Sequence, residues 1–125
     1  AMLIILLLSC ASAAQEEGDI AITSANFAAP SPEKENLNEE WVEISNLGTE
    51  EVGLAGWTLE DQQNHSYRFP DITLGAGSAV RVHTGAGTDT EEDLYWNLGG
   101  SVWNNDGDVA TLRDASGEVV SVYRA

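Results

Sequence analysis

Two histidines are the side chains of this chain best suited to acid–base or metal chemistry. His65 and His83 are the only imidazoles in the sequence, and neither has a partner at the H-x-x-x-H spacing that presents two ligands to zinc. Ser66 follows His65 directly, but neither a nucleophile-elbow motif nor an orienting acid accompanies it, so the pair does not form a Ser-His-Asp triad. The pattern favours two surface or edge histidines over a catalytic site.

Carboxylates are so abundant that no single pair of them predicts a general acid and a general base. The chain has 21 Asp and Glu against 5 Lys and Arg, a formal net charge of −16. A glycosidase needs two carboxyl groups at a set separation in a cleft, and a small sandwich seldom offers one. We therefore predict no catalytic residues, no cofactor and no enzymatic activity.

Two acidic segments contain the oxygen ligands that Ca²⁺ prefers. Asn104–Asp108 resembles part of a calcium loop, but an EF-hand that began at Asn104 would need glycine and glutamate where the chain has Val109 and Ala115. Asp106-Gly107 is therefore predicted to be an ordinary turn. The loop Asp89–Asp93 is a less specific candidate for a calcium site, and the alternative is that it is simply a solvated acidic loop. No metal site is predicted, although calcium binding by acidic loops stays an alternative.

The net charge also restricts the partners that this chain can bind. Proteins that bind phosphate backbones use Lys and Arg, so a charge of −16 argues against nucleic acid. The same charge disfavours anionic membrane surfaces. It favours solubility instead, including adaptation to high salt, where screening relieves self-repulsion.

The N-terminal residues 1–14 read as the end of a signal peptide, with Cys10 as a candidate lipidation site. The apolar run Met2–Leu8 is too short to span a bilayer, which takes about 20 residues, and small residues follow it. Leu7–Cys10 resembles a bacterial lipobox, in which Cys10 becomes the lipidated first residue. Ala11–Ala13 also fits an A-x-A cleavage site, which would discard the cysteine, and no Lys or Arg precedes the apolar run.

Residues 15–19 read as a polar tether, and residues 20–125 as one domain. We expect an extracytoplasmic chain, either secreted or held at the cell surface, whose contact with the membrane is through a lipid at Cys10. We expect a monomer.

The remainder of the chain consists of short apolar runs with a period of two, separated by Gly, Pro, Asn and Asp. No segment has a convincing helical period. This pattern predicts an all-β sandwich, with strands at Ile20–Phe27, Trp41–Ser45, Val52–Glu60, Ser66–Phe69, Ala76–Thr84, Asp108–Arg113 and Glu118–Tyr123.

Trp41–Ser45 and Val52–Glu60 are predicted to form a hairpin, because Asn46–Thr49 between them has a turn composition. Gly53 and Gly56 interrupt the second run, which indicates a bulge or a close approach of the backbone. The face of the first strand that is buried is not determined by its residues. A second hairpin is predicted at the C-terminal end, where Gly117 suits the left-handed position of a turn with a bulge.

The sandwich core is predicted to include Trp41 or Ile44, Trp57, Leu59 and Leu112. Trp41 and Trp57 lie within predicted strands, where a tryptophan usually buries a large apolar area. Trp96 borders a glycine-rich loop, and its location stays open. If it were exposed together with Trp103, the two rings could stack on a sugar or anchor a protein partner.

The hairpin residues resemble those of a known family. E-W-V-E-I-x-N-x-G at Glu40–Gly48, followed by V-x-L-x-G-W-x-L at Val52–Leu59, is similar to the opening of lamin tail domains. The resemblance continues downstream through Phe69–Asp71, Leu74–Gly77, Val80–Gly85 and a W-x-N-x-G-D turn at Trp103–Asp108, and it covers residues 19–123. It implies an immunoglobulin-like β-sandwich in which Trp103 is buried near the closing turn. Such domains occur at the end of nuclear lamins and as modules of secreted or surface proteins in prokaryotes.

The resemblance and the absence of a catalytic motif together predict a non-catalytic module that binds an unknown protein or cell-surface partner. A structural spacer domain is the alternative. The nuclear roles of lamins are not expected here, because residues 1–14 read as a secretion signal and this sequence shows no coiled-coil rod.

Overall fold

The computed structural model describes residues 19–125, which form strands joined by turns and loops. The strands are β1 Ile20–Asn26, β2 Trp41–Asn46, β3 Val52–Gly53, β4 Thr58–Glu60, β5 Ser66–Arg68, β6 Thr73–Leu74, β7 Ala79–His83, β8 Asp93–Tyr95, β9 Val109–Arg113 and β10 Val119–Arg124. The helical content of this part of the chain is two 3-10 turns, Glu33–Glu35 and Leu37–Glu39.

The strands form two four-stranded sheets and one small two-stranded sheet. The first sheet has the order β1-β2-β7-β8, the second has the order β10-β9-β4-β5, and β3 pairs with β6. All pairs in the two large sheets are antiparallel except β7 with β8. The chain is an all-β, immunoglobulin-like sandwich, which confirms the predicted fold class.

The core lies between the two large sheets and follows the alternation of the strands. Ile44 of β2 and its neighbours Val80 and Val82 of β7 point inward and are fully buried. From the second sheet, Leu59 and Leu112 lie opposite each other and are also fully buried. Trp57 is buried as well. The predicted core is therefore confirmed, and Ile44 rather than Trp41 is its member from β2.

The predicted opening hairpin is wrong. β2 pairs with β1 and β7 in the first sheet, whereas β4 pairs with β5 and β9 in the second. The buried Asn46 explains the change of direction, because its Nδ2 donates to the carbonyl oxygens of Glu50 (2.8 Å) and Leu74 (3.0 Å). These bonds hold the turn against β6, and the chain crosses from one sheet to the other.

The glycine signal in the second run corresponds to a bulge at Gly56. Leu54–Trp57 forms a turn in which the Trp57 N–H donates to Leu54 O at 3.0 Å, and Gly56 has a φ of 80°. The Gly56 N–H donates to Phe69 O, and the Phe69 N–H donates to Trp57 O. Gly56 and Trp57 thus lie opposite the single residue Phe69, and the glycine takes the left-handed position of the bulge. The bulge confirms the prediction and divides the expected strand Val52–Glu60 into β3 and β4.

A second irregularity explains why the buried face of β1 could not be determined from its residues. Its register against β2 shifts between Ile22 and Ser24. Ile20 and Ile22 are buried before the shift, and Ala25 and then Phe27 pack against the core after it. A bulge changes the face that a strand presents, so neither alternating set is buried along its full length.

The C-terminal hairpin of β9 and β10 forms as predicted. Gly117 has a φ of 90°, and its N–H donates to Asp114 O at 3.0 Å. The Asp114 carboxylate accepts bonds from the backbone N–H groups of Ser116 and Glu118. The carboxylate therefore fixes the turn, and glycine supplies the positive φ that it requires.

Aromatic rings connect the two sheets through the core. Phe27 stacks on Trp103 at 4.9 Å, Trp103 meets Trp96 edge to face at 6.3 Å, and Trp96 contacts Tyr67 of β5 at 5.6 Å. Trp103 is buried, which agrees with the resemblance, and Trp96 is half-buried against the core. These two rings therefore do not form the exposed pair that could have bound a sugar.

The buried Tyr67 ring makes the stability of the domain fall at alkaline pH. Burial, and secondarily the charge of Asp89, raises the pKa of Tyr67 from 10.0 to about 12. The folded state therefore keeps a proton that the unfolded chain releases, so this stabilisation is complete below pH 10 and is lost between pH 10 and about 12. A shift of this size corresponds to about 2–3 kcal/mol.

We expect Tyr67→Phe to remove this part of the pH dependence. Urea unfolding of both proteins at about pH 8 and about pH 11 measures it, and the loss of stability on raising the pH should be smaller in the variant. Equal losses in the two proteins would contradict the assignment.

Candidate functional site

The outer face of the first sheet carries a row of three aromatic side chains. Trp41 of β2 lies directly opposite His83 of β7, and His83 lies beside Tyr95 of β8. All three are partly exposed, because the inward positions of these strands belong to Val42, Val82 and Leu94. We call Trp41, His83 and Tyr95 the aromatic row.

The flat faces of these rings are already in contact with other groups. The Arg81 guanidinium carbon lies 3.8 Å from the centre of the Trp41 ring, a cation–π arrangement. The His83 and Tyr95 rings stack at 5.1 Å with an angle of 19°. A Cβ added at Gly87 would lie 2.5 Å from the Tyr95 ring, so a larger residue there would displace the ring. One face of the Trp41 ring and one face of the His83 ring are thus already occupied by neighbours within the sheet.

Charges on this face lie beside partners of opposite sign. Arg81 Nε donates to Glu43 Oε1 at 3.2 Å, and His83 Nε2 lies 2.7 Å from Asp93 Oδ1. His83 Nδ1 donates to the carbonyl oxygen of Asn38 at 2.7 Å. Depending on whether His83 is protonated, the four charged groups sum to zero or to one negative charge. The charges of these four groups thus nearly cancel, in a chain whose formal net charge is −16.

The prediction that Trp41 belongs to the core is wrong. In β2 the buried positions are Val42 and Ile44, and Trp41 shares its phase with the charged Glu43. Strict alternation of side chains therefore places Trp41 outside. The sequence contained this signal, but the apolar area of the indole was given more weight than its phase relative to Glu43.

A buried carboxylate fixes the end of β2 from which Trp41 projects. Glu40 is fully buried. Its Oε1 accepts bonds from Thr84 Oγ1 (2.7 Å), Val102 N (2.9 Å) and Trp103 N (3.1 Å). Its Oε2 accepts a bond from the Ser101 hydroxyl. The carboxylate joins the loop that carries Trp103 to the first sheet. Sequence reasoning missed it, although Glu40 opens the E-W-V-E-I motif.

His65 lies apart from the aromatic row, at the tip between β4 and β5. Its Nδ1 lies 2.7 Å from Asp61 Oδ2, and about half of its side chain is exposed whereas that of Asp61 is fully buried. The statement that no acid orients His65 is therefore wrong, because an Asp four residues earlier does so. Ser66 is the next residue of an extended segment, and consecutive side chains of such a segment point to opposite sides. The arrangement is not that of a triad.

The acidic loop and the NNDGD segment use their carboxylates to fix local backbone. Asp89 Oδ1 accepts a bond from the Tyr95 N–H at 3.0 Å, while Asp93 faces His83. In the other segment, Asp108 Oδ2 accepts from the Asn104 N–H at 3.0 Å, and Oδ1 accepts from the Val109 N–H at 2.7 Å. Among residues 19–125, no three His, Cys, Asp or Glu side chains are grouped so that they could hold a metal ion.

Cys10, the predicted lipidation site, lies outside the described residues. Between Asp19 and the C-terminal residue, no helix is long and apolar enough to cross a membrane.

Comparison with known proteins agrees with the residues of the opening motif. The family model described as Lamin Tail Domain matches residues 13–125. No curated protein matches the chain. The family is one of non-enzymatic, immunoglobulin-like domains, which fits the sandwich and the absence of a triad at His65. Since the match extends over most of its length, the chain belongs to the lamin tail domain family.

Proposed function

We propose that this lamin tail domain is a non-catalytic interaction module, held outside the cell through a lipid on Cys10. It binds a protein or cell-surface partner through the outer face of its first sheet. The observation that carries this proposal is the aromatic row with Arg81 on a solvent-facing sheet.

The composition of this face supports protein binding. Trp, Tyr and Arg are the residues that contribute most often to the energetic centre of protein interfaces. Here Trp41, Arg81 and Tyr95 occur together, and mutual packing already restricts their rotamers. Side chains that are ordered before binding lose less entropy on association.

The charge distribution supports the same face. A partner that approaches most of this molecule meets uncompensated carboxylates, whereas on this face Glu43 and Asp93 lie beside Arg81 and His83. Approach to the aromatic row therefore involves little repulsion or desolvation of unpaired charge. A spacer domain has no need for such a face.

A photo-crosslinking amino acid placed at Thr23, which is exposed beside this face, tests the proposal in the producing cells. We expect a discrete adduct from Thr23, no adduct from exposed Ser116 in the β9–β10 turn, and loss of the Thr23 adduct in Trp41→Ser. Mass spectrometry of the mature N-terminus tests the anchor separately, since a chain that begins at Ala14 without lipid contradicts it. The absence of an adduct from Thr23, or equal crosslinking from both positions, would favour the spacer alternative.

The calcium-binding alternative predicts a different response to ions. A ligand that binds the folded state alone raises the melting temperature by mass action even when salt is high. At about 1 M sodium chloride, where the screening length is about 3 Å, we expect added calcium and magnesium to have equally small effects. A thermal melt measures this. A calcium-selective rise of several degrees, abolished by neutralising residues 89–93, would overturn the expectation.

A further inference from the structure

The tip of the β4–β5 hairpin contains an acceptor motif that the interaction face does not use. Asn64-His65-Ser66 is an Asn-x-Ser triplet with a residue other than proline in the middle, the signature of N-linked glycosylation. The triplet pattern Asn-x-Ser/Thr occurs once in the sequence. A short triplet is a weak signal alone, so its structural setting decides its value.

The structure presents both reacting positions of this triplet to solvent. Asn64 and Ser66 are exposed, and the side chain of neither makes a hydrogen bond within residues 19–125. The turn is fixed from below by Asp61, whose Oδ1 accepts from the N–H groups of Gln63 (2.9 Å) and His65 (2.8 Å). The same carboxylate holds the His65 ring, and Asn64 takes a left-handed φ of 71° at the tip.

The triplet also lies at the start of an open sheet edge. In the β4–β5 ladder, Asp61 N bonds His65 O and Phe69 N bonds Trp57 O. Hydrogen-bonded pairs alternate in an antiparallel ladder, so the backbone groups of Ser66 and Arg68 point away from β4. An edge of this kind is a site for unwanted pairing unless something protects it.

The edge of β8 is closed by its own loop. The N–H of Asp93 donates to Thr90 Oγ1 and its carbonyl accepts from the Thr90 N–H. The N–H of Tyr95 donates to Asp89 Oδ1, and its carbonyl accepts from Asn97 Nδ2. At the other side of the sandwich, β1 contacts β10 through a bond from the Ile22 N–H to Ser121 Oγ. A bulky glycan on Asn64 would protect the open edge of β5, as the loop protects the edge of β8.

We propose that Asn64 is a site of N-linked glycosylation. An oligosaccharyltransferase would recognise the Ser66 hydroxyl, and Asn64 Nδ2 would attack the anomeric carbon of a lipid-linked oligosaccharide. The carbon–nitrogen bond forms, the bond to the lipid phosphate oxygen breaks, and the phosphate leaves with the electron pair. The amide releases one proton to the transferase. This inference rests on the extracytoplasmic location proposed above, where such transferases act.

The mass of the mature chain isolated from its producing cells tests this proposal. We expect one glycan on the wild-type chain, none on Asn64→Gln and none on Ser66→Ala, with the glycan retained on Ser66→Thr. Asn97→Gln, a change at a second asparagine with positive φ, is the matched control and should keep the glycan. An unmodified wild-type chain, or a glycan that persists in Asn64→Gln, would overturn the proposal.

A reaction in vitro distinguishes a failure of the acceptor triplet at Asn64 from a failure of the proposed extracytoplasmic location. The purified full chain is incubated with a purified oligosaccharyltransferase and a lipid-linked oligosaccharide. If cells yield an unmodified chain while this reaction glycosylates Asn64, the proposal fails because the native chain does not meet a transferase, although the triplet is a competent acceptor. If neither yields a glycan, the site itself has failed and the interaction face is unaffected.

Discussion

Replacement of Glu40 by alanine is expected to destabilise the domain by about 3–5 kcal/mol. The buried carboxylate accepts bonds from Thr84, Val102 and Trp103. Its removal leaves these buried donors without an acceptor, and each such group costs about 1–3 kcal/mol. The loss is a large share of the 5–15 kcal/mol typical of a domain. Urea unfolding followed by tryptophan fluorescence measures it.

Glu43→Ala is the matched control for this change. It removes the same charge three residues along the chain, but Glu43 is partly exposed and pairs with Arg81 on the outer face. Such pairs contribute about 0–1 kcal/mol. Similar losses in the two variants would show that the effect of Glu40 comes from charge and not from the buried hydrogen bonds.

Leu112→Ala is expected to cost about 2–5 kcal/mol, because it leaves a cavity between the two large sheets. Leu112 is fully buried and lies opposite the equally buried Leu59. Since the two side chains share one region of the core, the effects of Leu59→Ala and Leu112→Ala should not add in the double variant. The measurement is again the free energy of unfolding in urea.

Val122→Ala in β10 provides the comparison for the core variants. Val122 is 45% exposed, so its truncation should change stability by less than about 0.5 kcal/mol. If Leu112→Ala were equally mild, the sheets would not pack as described here.

The fold class was predictable from this sequence because period-two alternation and turn residues are local signals. Val80 and Val82 alternate with Arg81, and the structure buries the first two. The Gly117 turn was predicted for the same reason. The strand pairing was not predictable, since the crossover after β2 depends on bonds from Asn46 to Leu74, which lies far along the chain.

The candidate site was only partly predictable for a related reason. The row Trp41, His83 and Tyr95 is created by the register of three strands, of which β7 and β8 pair in parallel. No local pattern specifies that register. The exposure of Trp41 followed from its phase with Glu43, whereas the contact of Asp61 with His65 depends on the conformation of the turn.

The most direct test of the proposed interaction face is hydroxyl-radical footprinting of the native chain. Labelling of Trp41 and Tyr95 is compared with that of Tyr123, a partly buried aromatic residue of the second sheet, in the purified protein and in the membranes of the producing cells. We expect Trp41 and Tyr95 to be several-fold less labelled in the membranes while Tyr123 is unchanged. Equal labelling of all three residues in both samples would contradict binding through the aromatic row.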